Sequence, residues 1–118
     1  MKKLKATLVL CLAALGASAH VGAGAESEKE RDKQAERGKA VYTGRCVRCH
    51  GADGRGQTTM GQMTEAPDLT DAKWRATRSR ARMVESVTNG RGNMPAFSKK
   101  LTKDEIAAVV AYVRTLKP

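Results

Sequence analysis

The chain has 118 residues, the size of one domain. Its 22 Lys and Arg outnumber 12 Asp and Glu, for a net charge of +10. Its four aromatics (Tyr42, Trp74, Phe97, Tyr112) do not interleave with the basic residues, which argues against a nucleic-acid stacking surface and bounds the apolar core, so that a metal, disulfide or cofactor is expected to complete the domain.

Lys2, Lys3 and Lys5 open the chain, and Ala6 to Ala19 follow as an apolar run ending in small residues. Ala17-Ser18-Ala19 and Ala23-Gly24-Ala25 both have the A-x-A form of a cleavage site. This layout predicts a secretory signal peptide over residues 1–25, cleaved after Ala19 or Ala25, and a folded domain over residues 26–118. The apolar run is shorter than the roughly 20 residues a bilayer span needs, so no stable membrane insertion is expected after cleavage. Cys11 lies in this run and would leave with it; Leu10 before it is not small, which argues against lipid attachment. The remaining domain holds 19 Lys and Arg and 12 Asp and Glu, or +7, a balance suited to an acidic partner or an acidic cofactor.

No period-2 apolar run or hairpin dipeptide predicts a strand, and no internal repeat is present. The first helix is expected to start within Ser27 to Asp32 and to end near Cys46, with Ala35, Gly38, Val41 and Tyr42 on one face. From Gly51 to Pro67 four glycines mark irregular loop (Gly51, Gly54, Gly56, Gly61). A loop of that length makes sense if it wraps a bound object. A middle helix is predicted over Ser79 to Thr88, with Met83, Val84 and Val87 on one face and Asn89-Gly90 as its stop. The last helix has the clearest signals. Thr102 to Glu105 form a capping box, Leu101 and Ile106 a candidate staple, and Ile106, Val109, Val110, Val113 and Leu116 an apolar stripe.

The chemistry concentrates in Cys46-Val47-Arg48-Cys49-His50. Structural zinc needs four ligands, and beyond residue 25 the chain has no further Cys or His. A thioredoxin-like dithiol belongs in an α/β context, and no strand precedes this one. C-x-x-C-H is the attachment signature of a covalent haem c. On a helical turn the two thiols and the imidazole share a side, so Cys46 and Cys49 can each take a vinyl group while His50 reaches the iron. An electron-transfer haem also needs a second strong ligand, for which Met paired with His is one solution. Met83 lies on an amphipathic face, and Met60 and Met63 are close in sequence to His50. Met94 stands in Gly90-Arg91-Gly92-Asn93-Met94-Pro95, where glycines allow a tight loop and proline stiffens it. Met94 is therefore the expected second ligand.

From about Ala35 to Leu116 these features together resemble a small bacterial monohaem class I cytochrome c. Gly38 and Tyr42 stand eight and four residues before Cys46, as that family's first-helix glycine and aromatic do. Tyr112 matches the aromatic of its C-terminal helix. The resemblance implies an all-α fold with three or more helices around one haem, and close crossing of the first and last helices at Gly38. Pro67-Asp68-Leu69 resembles the segment whose proline carbonyl accepts a hydrogen bond from the haem-ligating histidine. NMPAF resembles the axial-methionine loop. For Trp74 the resemblance leaves two roles open, a hydrogen bond to a haem propionate or packing against the haem wall.

The expected function is periplasmic one-electron transfer without bond-breaking catalysis, the redox chemistry belonging to the cofactor. Expected partners are redox proteins with acidic docking surfaces, steered by Arg45, Arg48, Lys99, Lys100 and the basic run Arg75, Arg78, Arg80 and Arg82. Two alternatives stand beside it. One is a dedicated electron-transfer subunit of a dehydrogenase or oxidase complex. The other is a haem enzyme or sensor with an open iron site.

Overall fold

The computed structural model describes residues 22–118. The expected signal segment falls outside the described residues up to residue 21, and the second cleavage point, after Ala25, lies within the first helix. Six helices follow in order: α1 (Gly22–Arg45), α2 (Val47–His50), α3 (Thr59–Met63), α4 (Ala72–Ala76), α5 (Arg80–Asn89) and α6 (Lys103–Val113). Among the described residues the only β pairing is an isolated bridge between Arg91 and Met94. The all-α expectation holds.

Helix α1 starts earlier than the sequence reading placed it. The segment after residue 22 is rich in Ala, Glu and Lys and lacks proline, so nothing in it stops a helix. Arg31 reaches back one turn, its Nε donating to the Ser27 carbonyl at 3.1 Å. Only the C-terminal part of α1 is committed to the core. Ala35 is exposed, whereas Gly38 and Tyr42 are buried and Val41 is half-buried.

Helices α5 and α6 follow their sequence signals closely. The Ser79 hydroxyl caps α5 by accepting from Arg82 N at 3.2 Å. Thr102 caps α6 by accepting from Glu105 N at 3.2 Å, and the Glu105 carboxylate accepts from Thr102 N at 2.8 Å. That reciprocal bond holds the Glu105 carboxyl below its usual pKa. Leu101 and Ile106 are both buried, as a staple requires. The helix closes at Val113, one turn short of Leu116.

The core is built where α1 meets α6. Tyr42, Leu69 and Val109 form its centre, and Val41, Val87, Tyr112, Val113 and Leu116 pack around them. The rings of Tyr42 and Tyr112 lie 5.3 Å apart at 53°, within the range of favourable tilted aromatic pairs. The two helices approach so closely because position 38 has no side chain. A Cβ there would collide with the Ala108 carbonyl oxygen and stand 2.9 Å from Tyr112 Cβ.

Gly44, on the same helix, has nothing within 4 Å of an added Cβ, and the pair makes a clean comparison. Gly38→Ala is expected to destabilise the protein by about 2 kcal/mol, because overpacking against backbone outweighs the better helix propensity of alanine. Gly44→Ala is expected to stabilise it by about 0.5–1 kcal/mol. Urea midpoints of the two variants check both signs.

Candidate functional site

Helix α1 delivers the Cys46 segment to the core. Cys46 N still donates to the Tyr42 carbonyl at 2.9 Å, and the Cys46 carbonyl then accepts from Cys49 N at 3.2 Å and His50 N at 2.9 Å. These bonds wind Cys46, Cys49 and His50 into one turn. Gly51 ends it at φ 76°, a left-handed conformation that suits glycine. Tyr42 Oη donates to the Gly51 carbonyl at 2.7 Å and pins the end of the turn to the core. Burial pushes the Tyr42 phenol well above its usual pKa, so it remains a donor across the physiological range.

Cys46 and Cys49 are half-buried free thiols. Burial, and then the neighbouring Cys49, push the Cys46 thiol up to about 11. A redox dithiol needs a depressed thiol pKa, and this environment does the reverse. Burial holds the His50 imidazole below its usual pKa, and the Pro67 carbonyl partly opposes that. Lowering favours the neutral ring, the form that ligates metals. Nδ1 is buried, and no acceptor among the described residues meets it at full hydrogen-bond geometry. Pro67 therefore acts on the ring electrostatically and stops short of a completed bond.

Another part of the wall comes from the segment after α5. Gly90 turns the chain at φ 77°. Arg91 and Met94 exchange backbone bonds of 3.0 and 2.9 Å, closing a tight loop that presents Met94 half-buried. Phe97 N donates to the Val87 carbonyl at 2.9 Å and ties the loop's exit to α5. Asn93 Nδ2 donates to the Thr64 carbonyl at 3.4 Å, joining this loop to the one that follows α3.

Between these walls lies a cavity of about 1050 Å³, at the upper end of the roughly 300–1,000 Å³ common for small-molecule sites. Cys46, Cys49, His50, Pro67 and Met94 all line it, with Leu69, Trp74, Met83, Val109, Val110 and Val113 among the apolar walls. The five residues singled out from sequence thus meet around one space. A large flat apolar group suits this space: two thiols, an imidazole and a methionine border it among mostly apolar walls. Met60 also borders the cavity and Met83 is buried as expected, while Met63 is 73% exposed.

Sequence reading missed three things here. The 51–67 loop is not wholly irregular, for α3 sits inside it. Thr58 caps α3 by accepting from Gly61 N at 2.8 Å, and its hydroxyl also reaches the carbonyls of Arg48 and Cys49 at 2.8 and 3.0 Å. It therefore clamps α3 onto the end of α2. A Thr ahead of a short helix is an N-cap signal, so this one was findable. Helix α4, capped by Asp71, was also missed. The third is Arg75, read from sequence as part of a solvent-facing basic run. Its Nε donates to the Leu69 carbonyl at 2.7 Å, and one terminal nitrogen donates to the carbonyls of Val113 at 2.8 Å and Leu116 at 2.6 Å. It caps the C-terminal end of α6 and fastens it to the Pro67 segment. No local sequence signal announces that role.

The family described as cytochrome C oxidase, cbb3-type, subunit III matches residues 33–113. The CcoP subunit of a cbb3-type cytochrome c oxidase from Azospirillum brasilense is 40% identical over 83 residues, covering 70% of this chain and 28% of that protein. The FixP subunit from Azorhizobium caulinodans is 36% identical over 83 residues, covering 70% of this chain and 27% of its own length. The chain thus spans less than a third of these relatives. Among solved structures, the KustC0563 c-type cytochrome superposes with a TM-score of 0.65 at 36% identity, covering 69% of this chain and 98% of that one.

Arg75 offers a direct test of the site's support. Arg75→Ala is expected to lower stability by about 2 kcal/mol through loss of charged hydrogen bonds. Arg75→Lys is expected to recover only part of this, because an ammonium cannot reproduce the planar fork. Denaturant unfolding of both variants measures the difference.

Proposed function

The chain belongs to the family of cytochrome c oxidase, cbb3-type, subunit III, with the all-α class I cytochrome c fold and its covalently bound haem c, and on that premise we propose that it is a periplasmic one-electron carrier. Cys46 and Cys49 form the thioethers. His50 and Met94 would ligate its iron. The observation that carries the reading is the convergence of these four residues, from segments some forty residues apart, on one apolar cavity.

The haem supplies a reversible one-electron iron couple when bound. The chain's residues do the rest. With the haem bound, the Pro67 carbonyl would close on the Nδ1 proton of His50, fix its tautomer and leave Nε2 for the iron. Met94 raises the potential relative to ligands that favour ferric iron. Leu69, Val109, Val110 and Val113 exclude water. The domain occupies residues 26–118, released by cleavage of the segment 1–25 on export. Among the described residues no helix is long and apolar enough to cross a membrane.

The names of the relatives favour a second form of the same reading, a dedicated electron-transfer subunit of an oxidase. Coverage of the small KustC0563 cytochrome almost from end to end supports a free carrier. Isolation from its native membranes and periplasm separates the two: a free carrier elutes at monomer size, a subunit together with a catalytic chain.

Partners are redox proteins with acidic docking surfaces. Arg45, Arg48, Arg91 and Lys100 are exposed around the cavity, and among the described residues Glu65 is the only carboxylate bordering it. Arg75 leaves the docking set because α6 and the Leu69 carbonyl occupy its donors.

The protein expressed with the c-type maturation machinery is expected to give the pyridine haemochrome spectrum of a haem held by two thioethers. Met94→Ala is expected to abolish the red methionine–iron charge-transfer band of the ferric form and to lower the potential. An unchanged band would remove Met94 from the iron. For docking, the rate of electron transfer to an acidic redox partner should fall steeply with salt, since a Debye length of about 8 Å at physiological ionic strength screens such steering. A flat profile in stopped-flow measurements would exclude it.

A further inference from the structure

His50 Nδ1 is a buried donor whose bond is incomplete, and the acceptor beside it is the Pro67 carbonyl. Of the two, the acceptor is the fixed partner. Its oxygen belongs to the planar peptide group between Pro67 and Asp68, so clamping the residue on each side fixes where it points. The Pro67 ring sets φ on one side. On the other, Asp68 folds back on the chain: its Oδ1 accepts from Thr70 N at 2.7 Å and from the Thr70 hydroxyl at 2.6 Å. Thr70 is only 2% exposed, so water competes little for these bonds. They hold the Asp68 carboxyl below its usual pKa, the hydroxyl bond most of all, and it accepts as a carboxylate at neutral pH. Asp71 N adds a turn bond to the Asp68 carbonyl at 3.3 Å. The rest of the segment is equally confined. Leu69 N donates to the Gly54 carbonyl at 2.7 Å, and the Leu69 carbonyl accepts from Arg75 Nε at 2.7 Å. A Cβ on Gly56 would stand 2.6 Å from the Ala66 carbonyl oxygen and 3.3 Å from that of Pro67.

We propose that Asp68, locked by Thr70, is a positioning residue for His50: it aims the Pro67 carbonyl at the imidazole and thereby tunes the potential of the iron. The inference rests on the haem reading above. An acceptor on the second ring nitrogen raises the basicity of a ligating histidine, and a more basic ligand favours ferric iron and lowers the potential. The strength of that bond depends on how firmly the acceptor is held. The Asp68 turn holds it from the chain's own side, through bonds that touch neither the imidazole nor the iron. Gly54, Gly56 and Arg75 anchor the ends of the segment, while the Asp68–Thr70 pair controls the tilt of the one peptide group that faces His50.

The test reads the His50 Nδ1–H signal of the reduced holoprotein by NMR, its hydrogen-exchange rate, and the midpoint potential. The proteins compared are the wild type, Thr70→Val, Asp68→Ala, Asp68→Asn and the control Thr115→Val, which loses an exposed hydroxyl bond to the Tyr112 carbonyl. Thr70→Val keeps the charge of Asp68 and removes only the hydroxyl bond. It should move the Nδ1–H signal upfield, quicken its exchange roughly 2- to 10-fold, the equivalent of one hydrogen bond, and raise the potential. Asp68→Ala should do the same to a greater degree. Asp68→Asn, which keeps an acceptor, should recover most of the wild-type signal position, and Thr115→Val all of it. If Asp68→Ala yields no holoprotein, Thr70→Val against the wild type makes the comparison. Variants that lose stability in urea but keep the wild-type Nδ1–H signal and potential would overturn the proposal, since the turn would then be structural only. So would a potential that rises equally in Asp68→Asn and Asp68→Ala with the signal unmoved, which would make Asp68 a through-space charge. A wild type without covalent haem in the pyridine haemochrome assay would instead overturn the underlying functional reading.

Discussion

The contact on which the rest of the structure depends is the crossing of α1 and α6 at Gly38. With no side chain at that position, the Ala108 backbone comes directly against α1. Tyr42 lies one turn further along, buried against Tyr112 and bonded to the Gly51 carbonyl. The turn holding Cys46, Cys49 and His50 is thereby fixed between a core residue before it and a core hydrogen bond after it. Moving α1 outward by the thickness of a methyl group would shift the thiols and the imidazole together. The precision a cofactor site requires thus originates in a packing detail well outside it.

The second wall is held by weaker and more distributed means. Thr58 clamps α3 to the carbonyls at the end of α2, Asn93 links the Met94 loop to Thr64, and Arg75 fastens the Leu69 segment to the end of α6. Each is a side chain bonding a backbone carbonyl across a gap in secondary structure. Short helices such as α3 and α4 cannot sustain themselves by propensity, since helix nucleation is unfavourable. They persist because these bonds and their caps hold them.

That division explains what the sequence disclosed. Cys46, Cys49 and His50 were legible because covalent attachment demands fixed residues at fixed spacing on one turn. The caps of α5 and α6 were legible because capping chemistry is local to a few residues. Met94 was legible through its glycine and proline neighbours. Helices α3 and α4 were missed although Thr58 and Asp71 cap them locally, because both are short, part of their support is tertiary, and the glycines around α3 suggested only loop. Arg75 was misread for the same reason: in sequence it is one of several arginines, and only the fold brings the carbonyls of Val113 and Leu116 to it. The beginning of α1 was placed too late because no cap or apolar stripe marks it, and the side chains from Ser27 to Arg37 are exposed. The candidate site residues border one cavity, while the Pro67 carbonyl falls short of a full bond to His50 Nδ1.

Helical proteins are usually rich in contacts between near neighbours in sequence, and such topologies fold fast. Here the principal helix pairing joins α1 to α6, and most of what lines the cavity belongs to the stretch enclosed between them. The pairing acts as a clasp on a ring of roughly 70 residues whose closing entropy grows by only about 0.6 kcal/mol for each doubling of its length. Segments inside the ring can lengthen, shorten or change composition at small entropic cost while the clasp holds. The architecture separates what must stay constant, one glycine-sized gap between two helices, from what is free to diversify: the walls that decide which partners the cofactor meets and at what potential it works.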